Sequence, residues 1–230
     1  MQSNMSGAII AGASGLVGDE LLHLLLSHPA FSTVYSLSRR ELPFHGSKLT
    51  QIVHSELRIT DWEESAPTPT IGFICLGTTK KQAGSKQALE AVDYQLVKEV
   101  ANTMKMIGVK HIVVISSLFA NPWSPSHYLR CKGKMEKALT AMNFEHCVFI
   151  RPGPLKGERS APRKDELLVQ GIFDIFQPVV IGPLANLDPI PAEQVAKRML
   201  ALSIAAENGT LKAIEVISGK MLLDKPAVTH

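Results

Sequence analysis

Gly7-Ala8-Ile9-Ile10-Ala11-Gly12-Ala13-Ser14-Gly15-Leu16-Val17-Gly18 reads as a buried strand that passes through a tight glycine turn into a helix beginning near Gly15. The apolar run Leu21-Leu22-His23-Leu24-Leu25-Leu26 follows within that helix. Gly12 lets the chain reverse sharply, Gly15 removes the Cβ that would hold a pyrophosphate away from the backbone, and Gly18 lets the helix press against its strand. The helix N-terminus then presents unpaired N–H groups and a positive dipole end to phosphates. The stretch is a dinucleotide-binding turn by its chemistry.

Working outward, short β-branched runs alternate with helical stretches. Thr33–Ser38 reads as a second strand, Gln51–His54 as a weaker third, and Ile71–Leu76 as a fourth, apolar throughout as a strand covered on both faces should be. From about Ser85 to Ile107, Leu89, Val92, Leu96, Val97, Val100, Ala101 and Met104 recur at helical steps. His111–Ser116 is a fifth strand, Lys134–Met142 continues a sixth helical unit, and Cys147–Ile150 is another strand. Regular βα alternation predicts an α/β fold with a doubly wound parallel sheet, the Rossmann arrangement. Ligands of such sheets sit beyond the carboxyl ends of the strands.

Length and composition limit what this frame carries. With 230 residues and 45% hydrophobic content, the chain can bury a full core and is expected to be one domain, 1–230. A formal charge of +3, with basic and acidic residues interspersed, makes no nucleic-acid stripe. No apolar stretch reaches the ~20 residues of a membrane span, and no charged leader with an apolar core opens the sequence. Cys75, Cys131 and Cys147 lack metal-type spacing and suit reduced thiols, so no metal is expected. These features predict a soluble cytoplasmic protein, for which a homodimer through surface helices would be unsurprising.

The residues after each strand carry the chemistry. Arg39 and Arg40 follow the second strand, where a site preferring NAD would carry an acid. Two guanidinium groups suit a 2′-phosphate and favour NADP(H), while Glu41, next in line, pulls the other way. Asp61-Trp62, after the third strand, is placed either to meet the adenine edge or to cap a helix, which Pro67 and Pro69 would keep short. In Leu76-Gly77-Thr78-Thr79, Gly77 lets backbone approach the cofactor, and the threonines can cap the next helix. After the fifth strand come Ser116 and Ser117, and then Tyr128 and Lys132, four apart on one helix face. A cation beside the phenol lowers its pKa and eases proton exchange with a substrate oxygen, which a serine hydroxyl on the strand end can hold. Ser117 is the first choice and Ser116 the fallback. His127, beside the tyrosine, shows no catalytic partner.

The combination of Gly12 to Gly18 with Ser117, Tyr128 and Lys132 resembles the short-chain dehydrogenase/reductase superfamily. Cys75 to Thr79, Tyr128 to Gly133, and Arg151-Pro152-Gly153 are similar to its atypical, NmrA- and epimerase-like branch around the Tat-interacting protein oxidoreductase and its bacterial relatives. The likeness covers nearly the whole chain. It implies NADPH contacts from Ser14, Gly15, Leu16, Val17, Arg39, Arg40, Leu76, Gly77, Leu155 and Arg163. It also implies Tyr128 as proton donor or acceptor, and Lys132 as the residue that binds the nicotinamide ribose and tunes that tyrosine. Between Ala120 and His127 the chain departs from the group, with Pro122, Trp123 and Pro125 shaping a different loop, so the substrate does not carry over.

Residues from about 151 to 192 are expected to form a small substrate lobe. In it Arg151 to Pro154 cover the nicotinamide, and Lys156, Arg159, Arg163 and Lys164 line a basic loop; Ile190-Pro191 leads into an amphipathic helix at Ala192–Leu200. The expected activity is reversible reduction of a small carbonyl compound. The rival is an NADPH-binding redox sensor that signals through a protein partner, with identical binding motifs. A semialdehyde dehydrogenase with Cys131 or Cys75 as nucleophile would need a further catalytic domain.

Overall fold

The structure, a computed structural model, describes residues 6–78, 83–157 and 188–223. Strand β1 (Ser6–Ala11) is buried along its whole length and turns at Gly12 into helix α1 (Leu16–Ser27). Strands β2 (Phe31–Ser38), β3 (Leu49–Val53), β4 (Ile71–Ile74), β5 (His111–Ile115), β6 (His146–Arg151) and β9 (Ile214–Ser218) join it in one sheet of order β3-β2-β1-β4-β5-β6-β9. Every neighbouring pair in that sheet is parallel. Two-residue strands β7 (Leu155–Lys156) and β8 (Ile190–Pro191) pair separately.

The doubly wound parallel α/β fold expected from the alternation is present. Side chains of β1 divide between the faces by the two-residue strand period: Ala8 and Ile10 enter one core, Ile9 and Ala11 the other. The first core is covered by α1 and by helix α5 (Ala192–Glu207), through residues such as Leu21, Leu22, Leu25, Val195 and Met199. The second is covered by α3 (Val97–Met106) and α4 (His127–Thr140), through Val97, Val100, Met104, Met135 and Leu139.

Several local expectations are corrected. The stretch read as one uniform helix is α2 (Lys86–Glu90), then a π-helical turn (Ala91–Leu96), then α3. The π turn inserts an extra residue, so the buried stripe runs Leu89, Asp93, Val97, Val100, Met104, while Val92 and Leu96 are only half-buried. Ser85 caps α2 by accepting the Ala88 N–H at 3.0 Å, while the cap expected from Thr79 lies outside the described residues. As expected, Tyr128 and Lys132 share one helix with Lys134 onward: α4 runs from His127 to Thr140, and the 121–122 backbone lies against Gly133 where any Cβ would overlap. No helix forms after β3. Strand β9, unforeseen, closes the sheet edge beside β6. Of the expected substrate lobe, 151–157 and 188–192 form the β7–β8 pair and its flanks, and the rest, with Arg159, Arg163 and Lys164, lies outside the described residues.

Candidate active site

Strand order reverses about β1, with β2 on one side and β4 on the other, which opens a crevice beyond their carboxyl ends. The glycine turn lies at that point. Gly12 has φ +92°, and a Cβ there would stand 2.7 Å from the Cys75 carbonyl, so the turn packs directly on the backbone leaving β4. Gly15 donates to Gly12 O at 2.9 Å, and a Cβ on Gly18 would overlap that same carbonyl. Gly15 caps α1 with no side-chain hydrogen bond, which leaves the first-turn N–H groups to a ligand. Ser14 is exposed at the turn, while Leu16 and Val17 turn their side chains into the core. Glycine cradle, uncapped helix end and switch-point crevice together fit a dinucleotide pyrophosphate.

The flanking loops continue the crevice. Arg39 and Arg40 are exposed just past β2, in a turn that the Ser38 hydroxyl fixes by donating to Arg40 O at 2.6 Å. Past β4, Leu76 packs on the second core, Gly77 is exposed, and the Thr78 N–H donates to Asp93 Oδ2 at 3.1 Å. Leu155 lies in β7, against the first core.

Ser117, Tyr128 and Lys132 are brought together at the end of β5. Ser117 is 1% exposed; its hydroxyl stands beside the Tyr128 phenol and donates a long hydrogen bond to Leu118 O at 3.3 Å. Ser116 cannot replace it: its hydroxyl donates to Glu136 Oε1 at 2.5 Å. Glu136 also takes Arg151 in a two-point contact, Nε to Oε1 at 2.9 Å and Nη2 to Oε2 at 2.5 Å, so Arg151 braces the strand ends. Leu118 N–H donates to Pro152 O at 2.9 Å and ties the two loops.

Lys132 is 1% exposed and ion-paired with fully buried Asp93 at 2.8 Å. Burial is the largest influence and works against the ammonium, but Asp93, by charge and hydrogen bond, together with Tyr128 and Glu136 offsets it and holds the Lys132 pKa above its ordinary value. For Tyr128 the expectation of a lowered pKa is corrected. Burial is the largest influence and raises the phenol; Lys132 and the Ser117 hydrogen bond pull it down, and Asp93 pushes it up, so that it ends above its ordinary value. Asp93 and Glu136 were missed in the sequence. The signal was present, since each acid occupies the inner stripe of its helix: Asp93 with Leu89 and Val97, Glu136 with Lys132 and Leu139.

Other residues are accounted for by packing. His127 does have partners. Arg130 Nη2 lies 3.3 Å from its Nδ1, and because a guanidinium only donates, Nδ1 accepts and Nε2 carries the hydrogen, directed at Lys86 O 3.0 Å away. Glu90 and Cys131 stand beside that Nε2, yet its hydrogen and the Lys134–Glu90 contact at 3.4 Å make the cluster a hydrogen-bonded one, not a set of open metal ligands. Burial pushes the Cys131 thiol up to about 11 and Cys75 up to about 12, so neither is an activated nucleophile. Trp62 packs on Tyr35 with ring centroids 4.9 Å apart, and Asp61 is exposed without a helix to cap. Among the described residues no helix is long and apolar enough to cross a membrane.

Comparison with known proteins agrees with this frame. Residues 8–106 match the model of the semialdehyde dehydrogenase NAD-binding domain, and residues 69–177 match the HIM1 model. The chain is 31% identical over 215 residues to the mitochondrial protein FMP52 of Meyerozyma guilliermondii, covering 92% of this chain and 91% of that one. It is 34% identical to FMP52 of Debaryomyces hansenii, covering 87% and 88%. Among solved structures it superposes on MoeE5 in complex with UDP-glucose and NAD (TM-score 0.63, 14% identity, 92% of this chain and 75% of that). It likewise superposes on a short chain dehydrogenase family protein from Francisella tularensis (TM-score 0.63, 13% identity, 96% and 100%). The fold is therefore that of nicotinamide-dinucleotide-binding Rossmann proteins. The sequence resemblance narrows to that level, since these relatives carry the name FMP52 rather than that of the Tat-interacting oxidoreductase. Their being named mitochondrial overturns the expectation of a cytoplasmic protein; free thiols and a mixed charge do not single out a compartment.

Proposed function

The chain belongs to the FMP52 family, and from that membership and the site geometry we propose that it is a mitochondrial NADP(H)-dependent oxidoreductase acting on a small carbonyl compound or the corresponding alcohol. One observation carries the reading. A serine hydroxyl, a tyrosine phenol and a buried ammonium meet at the end of β5, beside the switch-point crevice with its glycine turn. A site that only bound nucleotide would have no need of a proton donor.

When bound, the dinucleotide supplies hydride to the carbonyl carbon, or takes it back from the alcohol. The chain's own residues handle the oxygen. Ser117 donates a hydrogen bond that orients it, Tyr128 delivers the proton that turns it into a hydroxyl, and Lys132 stabilises the phenolate left behind. The turn that Gly12, Gly15 and Gly18 shape would hold the pyrophosphate through the free N–H groups of Leu16 and Val17 at the start of α1, with Ser14 beside them; Leu76, Gly77, Leu155 and Arg163 are assigned by resemblance. Arg39 and Arg40, exposed and free of a carboxylate partner among the described residues, supply the charge that a 2′-phosphate requires.

The test is a screen of carbonyl compounds with NADPH, followed by Tyr128→Phe. Turnover should fall by at least about a hundredfold while nucleotide affinity stays within about twofold. Undiminished turnover would remove Tyr128 from the chemistry, and NADPH binding with no turnover of any carbonyl would favour the redox-sensor reading.

A further inference from the structure

Asp93 does more than fill a core position. It is fully buried in the π-helical turn, a departure from regular helix that concentrates at functional sites. Its two oxygens face different parts of the site. Oδ1 lies 2.8 Å from Lys132 Nζ, and Oδ2 accepts the Thr78 N–H at 3.1 Å. Gly77 sits over the pair: a Cβ there would stand 3.4 Å from Asp93 Oδ1 and 3.6 Å from Lys132 Nζ. Lys132 Nζ also donates to Ile115 O at 3.4 Å, so the ammonium is fixed between β5 and the π turn.

We propose that Asp93 is a positioning residue whose one carboxylate holds Lys132 beside Tyr128 and ties down the Gly77–Thr78 turn, and whose charge sets the proton affinity of Tyr128. The inference rests on the reading of Tyr128 as proton donor. A lone buried ammonium next to a phenol would favour phenolate and leave no proton to give. With Asp93 opposite, Lys132 and Asp93 form a neutral pair, and Tyr128 stays a protonated acid near neutral pH. The groups that act on Tyr128 are Lys132 from its own helix, Asp93 from the π turn and the Ser117 hydroxyl from the end of β5; Glu136 acts on Lys132 from below. The turn that meets the cofactor and the acid that meets the substrate therefore share one anchor.

The experiment is a spectroscopic titration of tyrosine ionisation on the full chain without nucleotide or substrate. The Tyr128→Phe difference separates this phenol from Tyr35 and Tyr94. Asp93→Asn keeps one acceptor, for the Thr78 N–H, while it removes the charge and puts an amide nitrogen, which cannot accept, opposite Lys132. The Tyr128 titration should move to lower pH by on the order of one unit, and nucleotide affinity, read by fluorescence, should stay within about twofold. An unmoved Tyr128 titration in D93N overturns the proposal. Should D93N fail to fold because it strands a buried ammonium, Asp93→Asn with Lys132→Met is neutral like the native pair. Its Tyr128 should then titrate close to the native pH, and a displacement of a unit or more would overturn the proposal. Because the phenol is read directly, the result is independent of the turnover assay on Tyr128→Phe, so the two readings fail separately.

Discussion

At the residue scale Tyr128, Ser117 and Lys132 are the proposed reacting face, and they stood out in the sequence because the chemistry proposed for them depends on residue type and spacing. A tyrosine and a lysine four apart share a helix face in any helix, and a serine at a strand end faces the crevice of any doubly wound sheet. Asp93 and Glu136 were not legible in the same way. A carboxylate on an apolar stripe looks like a fault in the pattern until the opposite charge is placed against it, and Lys132 and Arg151 come from other elements. Glu136 gives a residue-scale prediction. Replacing it by Gln removes the negative charge from the Arg151 contact and alters the acceptor of Ser116, at a cost of about 2–3 kcal/mol given the partial exposure of Arg151. Denaturant unfolding should show a lower midpoint with unchanged slope.

The glycine turn belongs to the scale of the element. Gly18→Ala sets a methyl group against the Gly12 carbonyl and must push α1 from β1, which should cost at least about 2 kcal/mol and weaken nucleotide binding together with thermal stability. A variant that keeps native stability and affinity would mean that the turn is looser than its geometry indicates. At the opposite ends of β5 and β6, the Nδ1 atoms of His111 and His146 approach to 2.9 Å. Burial, then the neighbouring His146, lowers the His111 pKa, so the folded chain binds a proton less readily than the unfolded one. Stability is therefore full above the ordinary histidine pKa of about 6.5 and falls as pH drops below it. Thermal melts at pH 7.5 and 5.5 should show this loss in the native chain and less of it in His146→Gln. Strand β9 escaped the reading because Ile214-Glu215-Val216-Ile217-Ser218 is an edge strand with half its side chains in solvent, which weakens its apolar signal. The π turn escaped it because the shift of one residue preserves the density of apolar positions while rotating which of them face inward.

For the whole molecule, the parallel order β3-β2-β1-β4-β5-β6-β9 follows from the repeated alternation of strand and helix, and it puts the glycine turn, Arg39-Arg40, Gly77 and Tyr128 at the same carboxyl edge. The first three lie at or just past the end of a strand and Tyr128 in the first turn of the helix after β5, on the rim where doubly wound sheets bind ligands, and so the crevice was foreseeable from sequence. Compartment was not, since composition reports the chemistry of the surroundings without naming the organelle. The central claim is that this crevice binds NADP(H) through the turn and the two arginines. Titration of the purified chain with NADPH and NADH, read by nicotinamide fluorescence and repeated on Arg39→Ala/Arg40→Ala, tests it most directly. NADPH should bind at least about tenfold more tightly than NADH, and the double variant should erase that difference while still binding NADH, as expected for loss of charge-assisted contacts to one phosphate. If neither nucleotide binds the native chain, the glycine turn is structural and the account is contradicted.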